Sequence, residues 1–323
     1  MTPPPTPLLN HRVVVVVGKG GVGKSVISGG LAVAASRRGK RTVVAEMNGA
    51  ETMAALFDAE PVGYAGGELA PLVHAMSIRP ADAIEEYLLR MLRFRILYDV
   101  VFGNRFIGPF MNGVMGLSDL ISMGKVMDLE WNRTDGSHSA DGDAPHTWDL
   151  VVVDAPATGH GLSLLSSPQA MMDITRVGPL FNNARMIRDL LADRARASVL
   201  LVTLAEDMPV TETIELARKL EERVDVGVAG VIVNGVPPAL FPTDAAAARW
   251  PELAARGREI GSLAAAAVQD AERLLRDRQR ADGHIERLRS ELGLPLLEVP
   301  LLNRRDLDAE GLATIGQHLE PWL

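Results

Sequence analysis

The 323-residue sequence contains no cysteine. That absence removes disulfides, iron–sulfur clusters and thiolate zinc sites together. No apolar run approaches the roughly 18 residues a membrane span needs. The proline-rich start, Thr2 to Pro7, lacks the charged and apolar regions of a signal peptide. Basic blocks are missing as well: 33 lysines and arginines face 41 acidic residues, for a formal net charge of −8. Nucleic acid is therefore not expected as a direct partner. Aromatic residues make up only 4%, yet 47% of the chain is hydrophobic, enough for a large core. A soluble, cytoplasmic protein without stable membrane insertion is expected.

What is present begins with five consecutive valines, Val13 to Val17, followed by Gly18-Lys19-Gly20-Gly21-Val22-Gly23-Lys24-Ser25. The valines predict a fully buried strand, and the apolar-periodic stretch Val26 to Ala35 predicts a helix. Glycines between them let backbone N–H groups turn inward on a polyphosphate, and the helix N-terminus adds about half a positive charge. Gly20, Gly21, Val22, Gly23, Lys24, Ser25 and Val26 are thus the predicted nucleotide cradle. Lys24 reaches the β- and γ-phosphates, and the Ser25 hydroxyl is a candidate Mg²⁺ ligand. Lys19 is a second lysine inside the loop. It reads either as a solvated surface lysine or as the signature residue of the deviant phosphate-loop ATPases, which the pattern Lys-Gly-Gly-x-Gly-Lys-Ser resembles. In that group this lysine crosses a dimer interface to the partner's nucleotide, as an arginine finger would.

Short apolar runs at Thr42 to Ala45, Leu150 to Val153, Val199 to Thr203 and Val228 to Val233 alternate with helical stretches. This predicts an α/β fold: a doubly wound, mostly parallel sheet of the P-loop NTPase type with a deviant Walker A loop and a helical insertion. Residues 1–10 are expected to be a flexible N-terminus, and 11–323 a single ATPase domain. Within it, a helical subdomain is expected over about 80–130 and a flexible Asp/Gly/Ser/Thr-rich loop over 132–147. Asp244 to Leu292 reads as one long helical region.

The strand Leu150 to Val153 runs into Asp154-Ala155-Pro156-Ala157-Thr158-Gly159-His160. An acid at the carboxyl end of a buried parallel strand can hold Mg²⁺ directly or through water. With the preceding loop, this stretch resembles the switch II motif Asp-x-Ala-Pro-Thr-Gly-His of the ArsA family, with Ala157 standing between Pro156 and Thr158. That family contains arsenite-pump ATPases and the targeting ATPases of tail-anchored membrane proteins. The resemblance extends through Leu201 to Leu220, which carries Glu206 and Thr211-Glu212-Thr213. It continues through Val231 to Asn234 and Leu297 to Leu301. It implies ATP and Mg²⁺ as cofactors, Asn234 as the adenine-reading amide, Pro300 as a border of that pocket, and Asp154 as a catalytic and metal-binding acid.

Two departures stand out. Where the family carries a water-orienting aspartate after the second strand, alignment places Asn48, within Glu46-Met47-Asn48-Gly49-Ala50-Glu51. An amide positions water but does not accept its proton, so slow hydrolysis is expected, with Glu46 or Glu51 as substitutes. A Glu at this strand end also looks like a bacterial branch whose members pair with a sister ATPase, leaving homodimer and heterodimer both open. The second departure is the missing cysteine: arsenite is thiophilic, so arsenite transport is disfavoured.

Eight of the 13 methionines lie between residues 91 and 186: Met91, Met111, Met115, Met123, Met127, Met171, Met172 and Met186. Methionine suits surfaces that accept varied apolar partners, and it also packs cores. The leading expectation is a groove for a hydrophobic protein client. The alternative is an ATPase regulatory subunit without a transmembrane client.

Overall fold

The computed structural model describes all residues except 1–3, 5, 48, 50, 93–115, 140–141, 242 and 305–306. Eight strands form one sheet: β1 Val13–Gly18, β2 Thr42–Met47, β3 Gly67–Ala70, β4 Val73–Ile78, β5 Leu150–Ala157, β6 Ala197–Leu204, β7 Val228–Val236 and β8 Leu296–Pro300. Their order across the sheet is β3-β4-β2-β5-β1-β6-β7-β8. Only β3, at one edge, runs antiparallel to its neighbour; the other pairings are parallel. The α/β doubly wound reading holds. Strands β3 and β4 escape the sequence reading because β4, Val-His-Ala-Met-Ser-Ile, alternates and contains no continuous apolar run.

The five valines of β1 are all fully buried because the sheet is covered on both faces. Successive side chains point to opposite faces, so Val13, Val15 and Val17 join one core with Leu120, Met123, Leu164 and Ile187. Val14 and Val16 join the other, with Ile27, Leu31, Ile315 and Trp322. Each buried valine contributes about 1.5–3 kcal/mol, which explains why a run with no amphipathic pattern belongs at the sheet's centre.

Two regions differ from the sequence reading, and a third is helical as expected but divided. Leu8–Asn10, expected in a flexible start, forms a 3-10 turn whose Leu8 and Leu9 pack into the second core; two adjacent leucines supply the burial that anchors it. The segment 132–147 is pinned by a buried arginine: Arg133 Nε donates to the Ser139 carbonyl at 3.0 Å, and its Nη1 to the Ala144 carbonyl at 3.0 Å. Bridges Asn132–His138 and Arg133–His146 tie it further. The region 244–292 is three helices, Asp244–Ala248, Trp250–Ile260 and Ser262–Leu292. Pro251 and Gly261 stand at the breaks, where a missing N–H and an unhindered backbone interrupt a helix.

The helix after the glycine loop, Lys24–Arg37, crosses Ala309–Leu319 at glycine contacts. A Cβ built on Gly316 lies 2.9 Å from the Gly30 carbonyl oxygen, and one on Gly30 lies 2.5 Å from Ile315 Cγ2. The helices therefore approach at backbone distance, and a backbone carbonyl cannot swing aside. Gly316→Val should destabilise the chain by about 1–3 kcal/mol through overpacking. Urea unfolding checks this, and an unchanged midpoint contradicts the close crossing.

Candidate nucleotide site

The sheet order places β1 between β5 and β6 while the chain winds from β1 outward to β2 and later to the other side. The carboxyl ends of β1, β5 and β6 therefore meet where the winding direction reverses, the position at which open α/β sheets bind ligands. Val16 is in register with Asp154, and Gly18 with Ala157. The pairing of two central strands thus delivers the glycine loop and the acidic residue to one place.

The loop needs its glycines. A Cβ on Gly18 would sit 2.1 Å from the Val202 carbonyl oxygen of β6, and one on Gly23 would sit 2.2 Å from Asn234 Nδ2. Gly21 and Gly23 adopt φ of +85° and +89°, values that L side chains rarely take. Gly23 is the N-cap of helix Lys24–Arg37, so the first-turn N–H groups and the helix dipole face the loop. This is an anion cradle in backbone geometry.

Its side chains occupy one another. Ser25 Oγ donates to Asp154 Oδ2 at 2.6 Å, and Ser28 Oγ to Asp154 Oδ1 at 3.3 Å. Lys24 Nζ donates to the Lys19 carbonyl at 3.1 Å. Lys19 Nζ pairs with Glu212 Oε1 at 2.7 Å. Asn234 Nδ2 donates to the Val22 carbonyl at 2.9 Å, so its amide holds the loop itself. Pro300 ends β8 opposite Val236, two residues beyond Asn234. Burial lowers the pKa of Lys24 and raises that of Asp154, with the attraction between the two opposing both shifts.

The donor set fits Mg²⁺. A hydroxyl and a carboxylate at contact distance are hard oxygen ligands, and this ion is commonly held by one or two such groups with phosphates and water. Among the described residues no group of three or more His, Asp or Glu could hold a metal ion.

Asn48 lies outside the described residues, so its expected place is not addressed. Its two suggested substitutes are separated clearly. Both oxygens of Glu51 accept backbone N–H groups, from Gly63 and Val62 at 3.2 Å each. Glu46 is almost fully buried at the end of β2, in register with Asp154. Its Oε1 accepts from Thr52 N at 2.6 Å and Met53 N at 3.0 Å, while Oε2 has no hydrogen-bond partner among the described residues. Ser28 was not identified as a site residue from sequence, and Glu212 was not identified as the partner of Lys19; Ser28 lies one helical turn beyond Lys24, and that spacing was its only signal.

The fold and this loop define a phosphate-loop nucleotide-binding ATPase with a second lysine in the loop. Comparison with known proteins agrees. The family model described as anion-transporting ATPase, the ArsA type, matches residues 11–178. ATPase BagA of Mycobacterium tuberculosis is 31% identical over 274 residues, covering 81% of this chain and 76% of that protein. A putative arsenical pump-driving ATPase of Halobacterium salinarum is 26% identical over 243 residues, covering 72% of this chain and 36% of its own length. ATPase ASNA1 homolog 1 of Paramecium tetraurelia is 24% identical over 156 residues, or 48% and 43% of the two chains. The chain belongs to the ArsA ATPase family and is an ATP hydrolase.

Burial, followed by the nearby charges of Asp154 and Glu51, raises the Glu46 pKa from 4.5 to about 7, against two opposing backbone hydrogen bonds. Between these values the folded chain keeps a proton that the unfolded chain releases. Stability should therefore fall as pH rises through this window, by up to about 1.4 kcal/mol per pH unit from this group. Glu46→Gln should flatten that slope. Urea unfolding across the window is the check, and an unchanged slope would contradict the buried, protonated carboxyl.

Proposed function

We propose that this ATPase works as a dimer with ATP and Mg²⁺ at the subunit interface, and that Lys19 acts on the partner's nucleotide. The observation that carries this reading is the division of labour in the loop. Lys24 lies within the cradle, on the Lys19 carbonyl, whereas the Lys19 side chain leaves the cradle for Glu212. A lysine that points away from its own phosphate site cannot neutralise that phosphate without rearrangement, and on release from Glu212 it could reach another.

In the chemistry proposed here, Gly20 to Val26 bind and orient the triphosphate through backbone N–H groups, and Lys24 neutralises charge in cis. Asp154 and Ser25 would hold the metal, which when bound would supply charge neutralisation on the phosphates. Asn48 orients the attacking water without accepting its proton. Asn234 and Pro300 border the base, with Asn234 exchanging the Val22 carbonyl for adenine.

The output of the cycle has two readings. Capture of a hydrophobic protein client by the helical layer is supported by a cavity of about 430 Å³ between helices Pro80–Leu92, Leu117–Trp131 and Pro179–Ala192. Leu120, Ile121, Leu180 and Met186 are among its lining residues. The methionines themselves support it less than expected: Met123, Met127 and Met171 are core residues, because their helices face the sheet. Met172 and Met186 are partly buried against the same core. Met111 and Met115 lie outside the described residues, and Met91 is placed only on its helix. That burial favours the second reading, a regulatory ATPase paired with a copy of itself or a sister ATPase. Retention of a transmembrane-helix peptide by the ATP- or ADP-loaded protein separates the two; no retention in either state removes the client reading.

Lys24→Ala should abolish ATP binding. Lys19→Ala should preserve most binding yet lower turnover on the order of 10³-fold or more, the scale of an arginine finger. Equilibrium binding of a labelled nucleotide and steady-state phosphate release measure the two effects, and wild-type turnover in Lys19→Ala contradicts the interfacial role. Asn48→Asp should raise turnover by roughly 10²- to 10⁴-fold, the range of general-base catalysis. An unchanged rate would assign that task to another group, with Glu46 the remaining carboxylate of the two.

A further inference from the structure

We infer that Glu212 is a positioning residue: it parks the Lys19 ammonium within its own subunit and so sets the threshold at which that lysine becomes available to a partner. This rests on the interfacial reading of Lys19 and adds its control.

Glu212 sits on helix Asp207–Arg223, which follows β6. One carboxylate oxygen holds Lys19 Nζ at 2.7 Å, and the other lies 3.5 Å from Thr158 Oγ1. Thr158 is the first residue of helix Thr158–Ile174, directly after the strand that carries Asp154. One carboxylate therefore connects the glycine loop to the start of the helix beyond the metal-binding strand. A negative group is favourable near that helix N-terminus. Lys19 cannot occupy this contact and a neighbouring subunit's site at the same time, so the two positions compete.

The loop's second hydrogen bond couples this competition to nucleotide. Lys24 Nζ is held by the carbonyl of Lys19, so its move to phosphate frees the backbone of the residue whose side chain Glu212 retains. Glu212 is then the remaining restraint. The pair is accessible to water, with side-chain exposures of 27% and 35%, and pairs of this exposure bias a population by no more than about fivefold. Such a restraint yields readily to a polyphosphate but resists idle association.

The test is turnover per chain as a function of protein concentration, in saturating ATP and Mg²⁺, for the wild type, Glu212→Gln and the double variant Lys19→Ala/Glu212→Gln. Glu212→Gln should reach half-maximal turnover at a chain concentration up to about fivefold lower, with the same plateau and the same nucleotide affinity at high dilution. The double variant should match Lys19→Ala, because the effect runs through that lysine. A wild type with concentration-dependent turnover and an unshifted Glu212→Gln overturns the restraint alone, as does a lowered plateau, which would make Glu212 part of the reacting site. A wild type whose turnover per chain does not depend on concentration, in samples that sedimentation shows to be monomeric, overturns the interfacial lysine and the restraint together. Circular dichroism of Glu212→Gln, a change on a part-exposed helix position, confirms that folding is unaffected.

Discussion

The pairing of β1 with β5 is the constraint on which the site depends. The loop cannot form its cradle without a rigid strand behind it, and Asp154 cannot serve a loop it does not face. Register of Val16 with Asp154 satisfies both needs, and the valines that enforce it are fully buried on both sheet faces. A one-residue slip would move every side chain of β1 to the opposite face and separate the serine from the carboxylate. Stability of the core and chemistry of the site are therefore one requirement at this position.

Around that pairing, the loop is held by contacts that each stand where a ligand group would act. Asp154 accepts from Ser25 and Ser28, Lys24 rests on a backbone carbonyl, and Asn234 donates to Val22. A buried polar group without a partner costs about 1–3 kcal/mol. These internal bonds keep that cost low, and Lys24 and Asn234 are each held by a single one. The loop is pre-shaped by its glycines and held shut by exchangeable bonds.

Much of this was legible in the chain because its signals are local. A valine run, a glycine loop and a helix in succession specify strand, cradle and anion site without knowledge of the remainder, and Asp154 follows from the end of a second apolar run. The long-range partners were not legible. Glu212 lies 193 residues from Lys19, and only the placement of β6 beside β1 brings its helix to the loop. Methionine content was ambiguous for a physical reason: the same pliability suits a core and a client surface, and Met123 and Met171 themselves are core residues. The order in the described parts of 132–147 was not legible because it rests on Arg133, which holds the Ser139 and Ala144 carbonyls, and not on the segment's polar composition.

The central claim is that an active site is completed by Lys19 of a second chain. Complementation tests it most directly. Lys19→Ala leaves a chain with an intact cradle and no lysine to donate, whereas Asp154→Asn leaves a chain that donates Lys19 but lacks its own metal-binding carboxylate. Each alone should turn over ATP poorly, and mixing them should restore phosphate release, because a mixed dimer contains one complete site. A mixture no more active than its parents, in samples shown by sedimentation to contain mixed dimers, would contradict the account.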